Sequence, residues 1–187
     1  MDLKDFIKVY DDVVDASFCK QVMSAFDLDI PHQNFIDREK RPTFTELNMS
    51  QRYIDKDPTW RPLQERMSKV FTDYVNVYME DLGIAPDFPA KYAFEQYRVK
   101  KYFPKIHEFK DHVDVQDHSS ARRFLVCFLY LNDVTMGGET DFPKLDVAIT
   151  PKCGRLLIFP PTWQYRHAGK PTETGSKYIV GSYLHYL

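Results

Sequence analysis

His112-Val113-Asp114 puts an imidazole and a carboxylate two positions apart. On a strand, side chains at that spacing leave the same face, so both can turn to one metal ion, which adjacent residues cannot do. The spacing alone says little in a chain with six histidines. A second imidazole, His167, follows the apolar run Leu156-Leu157-Ile158-Phe159 and stands just before Gly169, placed to return to a sheet. Two imidazoles and one carboxylate on one face of an octahedral ion leave three positions open, the ligand set suited to iron(II) and oxygen chemistry. Zinc on the same three residues, with water in the fourth position, is the competing reading. His107 and His118 flank the motif in loop texture, and His32 and His185 read as surface or packing residues.

The elements that must position these residues differ between the two halves. Asp15 reads as the N-cap of a short helix to about Phe26, with Phe18, Val22 and Phe26 on one face. Asp57-Pro58 opens a longer helix, with Pro58 in its first turn, on which Trp60, Leu63, Met67, Val70, Phe71, Tyr74 and Tyr78 recur at three or four until Gly83. That stripe is core-facing rather than a cofactor box. From Pro89 the texture becomes short runs rich in Tyr, Phe, Val and Ile between turn signals. Segments 95–103, 122–132, 154–159 and 177–186 read as strands of a sandwich, barrel or jelly roll. Residues 31–56 form the least periodic stretch, either a mobile loop over a site or an ordinary surface connection.

A chain of 187 residues with 43% hydrophobic content supports a single domain with its own core. A net charge of -2 supplies no basic field for nucleic acid, and the pairs Lys100-Lys101 and Arg122-Arg123 read as solvated strand and loop surface. Cys19, Cys127 and Cys153 fit neither a disulfide framework nor a thiolate zinc site. The opening residues lack the basic-then-apolar form of a secretory signal, and no 18-residue apolar run occurs, so the expectation is a soluble, cytoplasmic protein without a membrane partner.

Taken in order, the motifs resemble those of the prolyl 4-hydroxylase-like branch of the iron(II)/2-oxoglutarate oxygenases. They are the aromatic run Tyr102 to Phe109, His112-x-Asp114, Tyr130-Leu131-Asn132, Gly137-Gly138-Glu139-Thr140-Asp141-Phe142-Pro143, Pro151-Lys152-x-Gly154, His167, and Lys177 ten positions later. The resemblance spans about residues 95–187. It implies an α+β, mainly β fold: a double-stranded β-helix, or jelly roll, over 89–187, supported by a helical and loop region over 1–88. It implies iron(II) on His112, Asp114 and His167, 2-oxoglutarate and O2 as co-substrates, and ascorbate as a further cofactor. Lys177 falls where the family's basic residue grips the distal carboxylate of 2-oxoglutarate, and Tyr102 and Tyr130 where hydroxyls assist it. Tyr183 stands where many relatives carry Trp and Val126 where Thr is frequent, neither expected to touch the metal set. Gly137-Gly138 reads as a tight turn needing positive φ. The function implied is hydroxylation of an unactivated C–H bond, first of all of a prolyl residue in a peptide or protein. A free amino acid, another small molecule or a different side chain remains the alternative substrate. Outside oxygenase chemistry, a metal-binding jelly-roll binding module and a zinc hydrolase remain open. Nucleic-acid demethylation is disfavoured, because those relatives carry a pair of arginines in the closing strand where Lys177 and Tyr183 stand here.

Overall fold

Apolar side chains recur at three or four up to Gly83, and beyond it come as short β-branched and aromatic runs; the fold divides in the same way. A computed structural model describes residues 1–38 and 42–187. In chain order its elements are β1 (Lys8–Tyr10), α1 (Ala16–Leu28), β2 (Gln33–Asp37), β3 (Thr43–Asn48), α2 (Met49–Ile54), α3 (Trp60–Leu82) and β4 (Tyr92–Phe94). There follow β5 (Arg98–Tyr102), β6 (Phe109–His112), β7 (Arg123–Tyr130), β8 (Thr140–Phe142), β9 (Val147–Ile149), β10 (Arg155–Phe159), β11 (His167–Gly169) and β12 (Lys177–Tyr186).

Asp15 caps α1, its carboxylate accepting from the Phe18 amide at 2.8 Å, which satisfies one orphan donor of the first turn. Helix α3 buries Trp60, Leu63, Met67, Phe71, Val75, Tyr78 and Leu82 and stops at Gly83 in the left-handed conformation, φ 63°. Its start differs from expectation. The Asp57 carboxylate accepts from the amides of Thr59 and Trp60 at 2.9 and 3.1 Å, so the chain turns through Pro58 before the first helical residue.

The larger sheet has the order β1-β10-β7-β12-β5-β3-β2, with β4 added to β12, and the smaller the order β6-β11-β8-β9. All their pairings are antiparallel, which gives the expected jelly-roll core. Strand β7 shows why the central strands read as unbroken apolar runs. Its Leu125, Cys127 and Leu129 pack toward α1 and α3, while Val126, Phe128 and Tyr130 point between the two sheets. Each fully buried Leu or Phe there contributes roughly 1.5–3 kcal/mol.

The region 1–88 is more than helical support, since β1, β2 and β3 join the larger sheet. In particular, 33–37 and 43–48, inside the stretch expected to be loop, form a hairpin that extends the sheet through β3 on β5. Residues 39–41, including Arg41 of that expected loop, lie outside the described residues. No helix among the described residues is long and apolar enough to cross a membrane.

Candidate metal centre

Antiparallel pairing of β11 with β6 sets His167 directly opposite His112. Strand β6 ends at His112, so Asp114 sits in the following loop rather than on the strand as its spacing suggested. The loop is pinned instead: the amides of Asp114 and Val115 both donate to the Pro161 carbonyl at 3.2 Å, turning the carboxylate back toward the imidazoles. One ligand atom from each of His112, Asp114 and His167 lies within 4.8 Å of the others.

The tautomers are set from outside. His112 Nδ1 lies 2.8 Å from the Lys110 carbonyl and His167 Nδ1 3.0 Å from the Tyr165 carbonyl. A carbonyl can only accept, so each Nδ1 carries the proton and each Nε2 lone pair is free. His112 Nε2 stands 3.4 Å from Asp114 Oδ1, and His167 Nε2 3.6 Å from Asp114 Oδ2. His112 Nε2 and Asp114 Oδ2 are buried without a hydrogen-bond partner. Buried polar atoms are rarely left so, and three convergent lone-pair donors with no hydrogen among them fit a divalent metal ion. Aromatic rings fix the imidazoles: Phe109 stacks on His112 at 3.6 Å, and Phe159 meets the edge of His167 at 4.9 Å. Burial opposes ionisation of Asp114, but before any metal binds the attraction of an imidazole that takes up a second proton, together with the Tyr183 hydroxyl, overcomes it and holds its pKa down at about 2. Burial likewise lowers the pKa of His167, which keeps it neutral and competent as a ligand.

Behind the three candidate ligand atoms a narrow cleft runs inward to Lys177, 2% exposed. Its Nζ donates to the Gly138 carbonyl at 2.7 Å and lies 4.7 Å from the centre of the Tyr102 ring. Among the described residues no carboxylate pairs with it, and burial lowers its pKa to about 8, with Glu139 opposing. Tyr130 shares a 2.6 Å hydrogen bond with the Thr140 hydroxyl in the same cleft. Burial raises the pKa of Tyr102 and of Tyr130, so both hydroxyls keep their protons. Gly138 is at φ 79° and Gly137 at φ 75°, where a Cβ would stand 2.5 Å from the Pro171 carbonyl oxygen. The turn therefore requires Gly137 and carries the carbonyl that receives Lys177.

Sequence reasoning missed three residues. Tyr183 does touch the metal set: its hydroxyl donates to Asp114 Oδ1 at 2.9 Å. Val126, facing it across the strands, makes no such contact and is plain core. Arg123 is not solvated surface, for its guanidinium lies 4.1 Å over the Tyr183 ring and grips Glu95 with two bonds of 2.8 Å. Lys100 is half-buried, its ammonium 4.8 Å from the centre of the Phe44 ring, and burial lowers its pKa while Glu46 and Asp114 oppose. Charge alone reads these as surface; only the closing of β5, β7 and β12 around the centre reveals them. An open cleft of about 760 Å³, lined among others by Ile36, Phe44 and Glu46 of the β2–β3 hairpin, leads from solvent to His112 and Asp114. Of the remaining histidines, His107 accepts from the Phe103 amide, His32 pairs with Asp29 at 2.5 Å, and none joins the cluster.

Comparison with known proteins follows the same residues. The model of the 2OG-Fe(II) oxygenase superfamily matches residues 97–185. Prolyl 4-hydroxylase subunit alpha-1 of Gallus gallus is 26% identical over 122 residues, 59% of this chain and 24% of that protein. A putative prolyl 4-hydroxylase of Acanthamoeba polyphaga mimivirus is 27% identical over 151 residues, 71% of this chain and 56% of that one. The chain thus spans between a quarter and somewhat over half the length of these relatives. Among solved structures, the viral collagen prolyl hydroxylase of Paramecium Bursaria Chlorella virus-1, in its 2OG complex, superposes with a TM-score of 0.75 at 21% identity, covering 97% of both chains. A Trichoplax adhaerens prolyl hydroxylase, in complex with a hypoxia inducible factor oxygen degradation domain peptide, gives 0.75 at 14% identity, covering 97% of this chain and 84% of that one.

Proposed function

We propose that the chain is a 2-oxoglutarate–iron(II) oxygenase of prolyl hydroxylase-like type, a reading supported by the family match over 97–185 and by its relatives, and that it hydroxylates a prolyl residue in a peptide or protein. The observation that carries the reading is the alignment of two fittings in one cleft: three lone-pair donors converging at its mouth and, at its floor, a buried ammonium with no carboxylate partner among the described residues. A dicarboxylic 2-oxoacid needs both, one end on the metal and the other on a cation.

In this reading His112, Asp114 and His167 hold iron(II), and Lys177 takes the distal carboxylate of 2-oxoglutarate, flanked by Tyr130 and Tyr102. Bound together with dioxygen, these groups supply decarboxylation to succinate and carbon dioxide coupled to insertion of one oxygen atom into a C–H bond. The chain's own work is positional. Tyr183 holds Asp114 by one carboxylate oxygen and leaves the other to the metal. Lys177 arrives protonated at neutral pH and exchanges a neutral carbonyl partner for a charged one, a stronger bond. Phe109, Phe142 and Phe159 exclude water around the imidazoles. The open cleft gives a peptide its approach, which supports a peptide or protein substrate, and the buried thiols of Cys19 and Cys127 support a reducing, cytoplasmic setting.

The test is anaerobic titration of iron(II)-loaded protein with 2-oxoglutarate, following the weak visible charge-transfer band of the chelate, with His167→Ala as control. A band absent from the variant and present in the parent supports the reading. Proline-rich peptides incubated with iron, ascorbate and 2-oxoglutarate should then gain the mass of one oxygen atom, and failure across such a panel removes the prolyl substrate while leaving the oxygenase.

A further inference from the structure

The proposed function gives Lys100 no part in holding metal or co-substrate, yet it stands where three recesses meet. It lines the inner cleft, the open cleft of about 760 Å³, and a neighbouring cavity of about 420 Å³ shared with Arg98, Arg123 and Tyr183. Alternation along β5 puts Arg98, Lys100 and Tyr102 on one face, so Lys100 comes one step outward from Tyr102, between the floor of the cleft and its mouth.

Its ammonium has no hydrogen bond or ion pair among the described residues and rests on the rings of Phe44 and Phe109 at 4.8 and 5.7 Å. The carboxylates nearby are engaged elsewhere. Glu46 accepts from Arg98 at 2.8 Å, Glu95 is gripped twice by Arg123, and Asp114 faces the imidazoles and Tyr183. An ammonium with three donors, drawn partly out of water and without an acceptor, is costly to keep unless an anion arrives. Lys177 already serves the inner cleft, whereas Lys100 also opens to the two outer recesses, through which a substrate would reach the candidate centre.

We propose that Lys100 receives a carboxylate of the substrate, so that the favoured target carries an acidic side chain, or a free C-terminal carboxylate, close to the residue that reacts. The inference rests on the oxygenase reading. It makes the Phe44 and Phe109 rings a guide that holds the ammonium in place until the anion binds.

The test uses protein loaded with manganese(II) and 2-oxoglutarate, which binds without turnover, and calorimetry against blocked peptides containing one proline. Each flanking position is compared as Glu against Gln, and the C-terminus as free acid against amide. One acidic member should bind about tenfold or more tightly than its neutral twin, and which pair shows it tells side chain from terminus. Lys100→Met should reduce the preference to within about twofold, Lys100→Arg should keep it, and both should retain parental affinity for 2-oxoglutarate. Absence of any acid preference, or its persistence in Lys100→Met, overturns the assignment. So does weakening of 2-oxoglutarate binding in that variant, which moves the ammonium to the co-substrate. Failure of the parent to load metal and 2-oxoglutarate takes down the oxygenase reading together with the inference, whereas loading without acid preference takes down the inference alone.

Discussion

Replacing Lys177 by Met should make the empty protein more stable and nearly abolish 2-oxoglutarate binding. The ammonium is 2% exposed, and its carboxylate partner, in the proposed function, arrives only with the co-substrate. Burial holds its pKa down from 10.5 to about 8. At about 1.4 kcal/mol for each tenfold change in proton affinity, that disfavours the fold by roughly 3 kcal/mol at neutral pH. For a base with a lowered folded pKa, the unfolded chain binds more protons between the two values. The penalty is therefore complete below about pH 8 and is relieved as pH rises toward 10.5. Met fills nearly the same volume without charge, but loses the bond to the Gly138 carbonyl, worth about 1 kcal/mol and leaving that acceptor bare. The net gain is about 2 kcal/mol. Chemical denaturation at pH 7 reads it, and it should shrink as pH is raised to 10. Against this, removing one partner of a buried charge pair costs about 3–5 kcal/mol, so 2-oxoglutarate affinity should fall at least about a hundredfold. A variant less stable than the parent, yet still binding 2-oxoglutarate, would refute the placement of an unpaired cation at the cleft floor.

Tyr183→Phe deletes only the hydroxyl that donates to Asp114 Oδ1 and should lower iron(II) affinity about tenfold with little change in the denaturation midpoint, read by metal titration. Affinity for 2-oxoglutarate in the parent should fall about tenfold per pH unit above pH 8, as Lys177 gives up the proton that binding requires. Calorimetry in two buffers of different ionisation heat should show proton uptake on binding above that pH and none at pH 6.5. Gly137→Ala, at φ 75° and with its new Cβ 2.5 Å from the Pro171 oxygen, should destabilise by about 2 kcal/mol or more and weaken 2-oxoglutarate binding by displacing the neighbouring Gly138 carbonyl. Equal stability in that variant would show that the turn has another way to close.

What could be read from the residues follows from how far each depends on distant chain. α1 and α3 announce themselves because cap, stripe and stop are local, as Asp15, the Trp60-to-Leu82 face and Gly83 show. β7 and β10 were legible as strands because burial on both faces makes them unbroken apolar runs. The β2–β3 hairpin was not, since β2 is an edge strand with Asn34, Phe35 and Asp37 exposed, and its partner β5 lies some fifty residues along. The three residues that cluster at the candidate centre were singled out by type and order, although Asp114 leaves the strand that its spacing implied and is held by Pro161 instead. Tyr183, Arg123 and Lys100 show the limit most clearly. Each side chain alternates correctly on its strand, but what it meets there is decided by strand neighbours from three separate parts of the chain. A basic residue on a strand is solvated on one face and a buried charge on the other, and a shift of one position reverses the two. Register, not composition, therefore makes Lys100 a part of the cleft, and register is what a single sequence conceals.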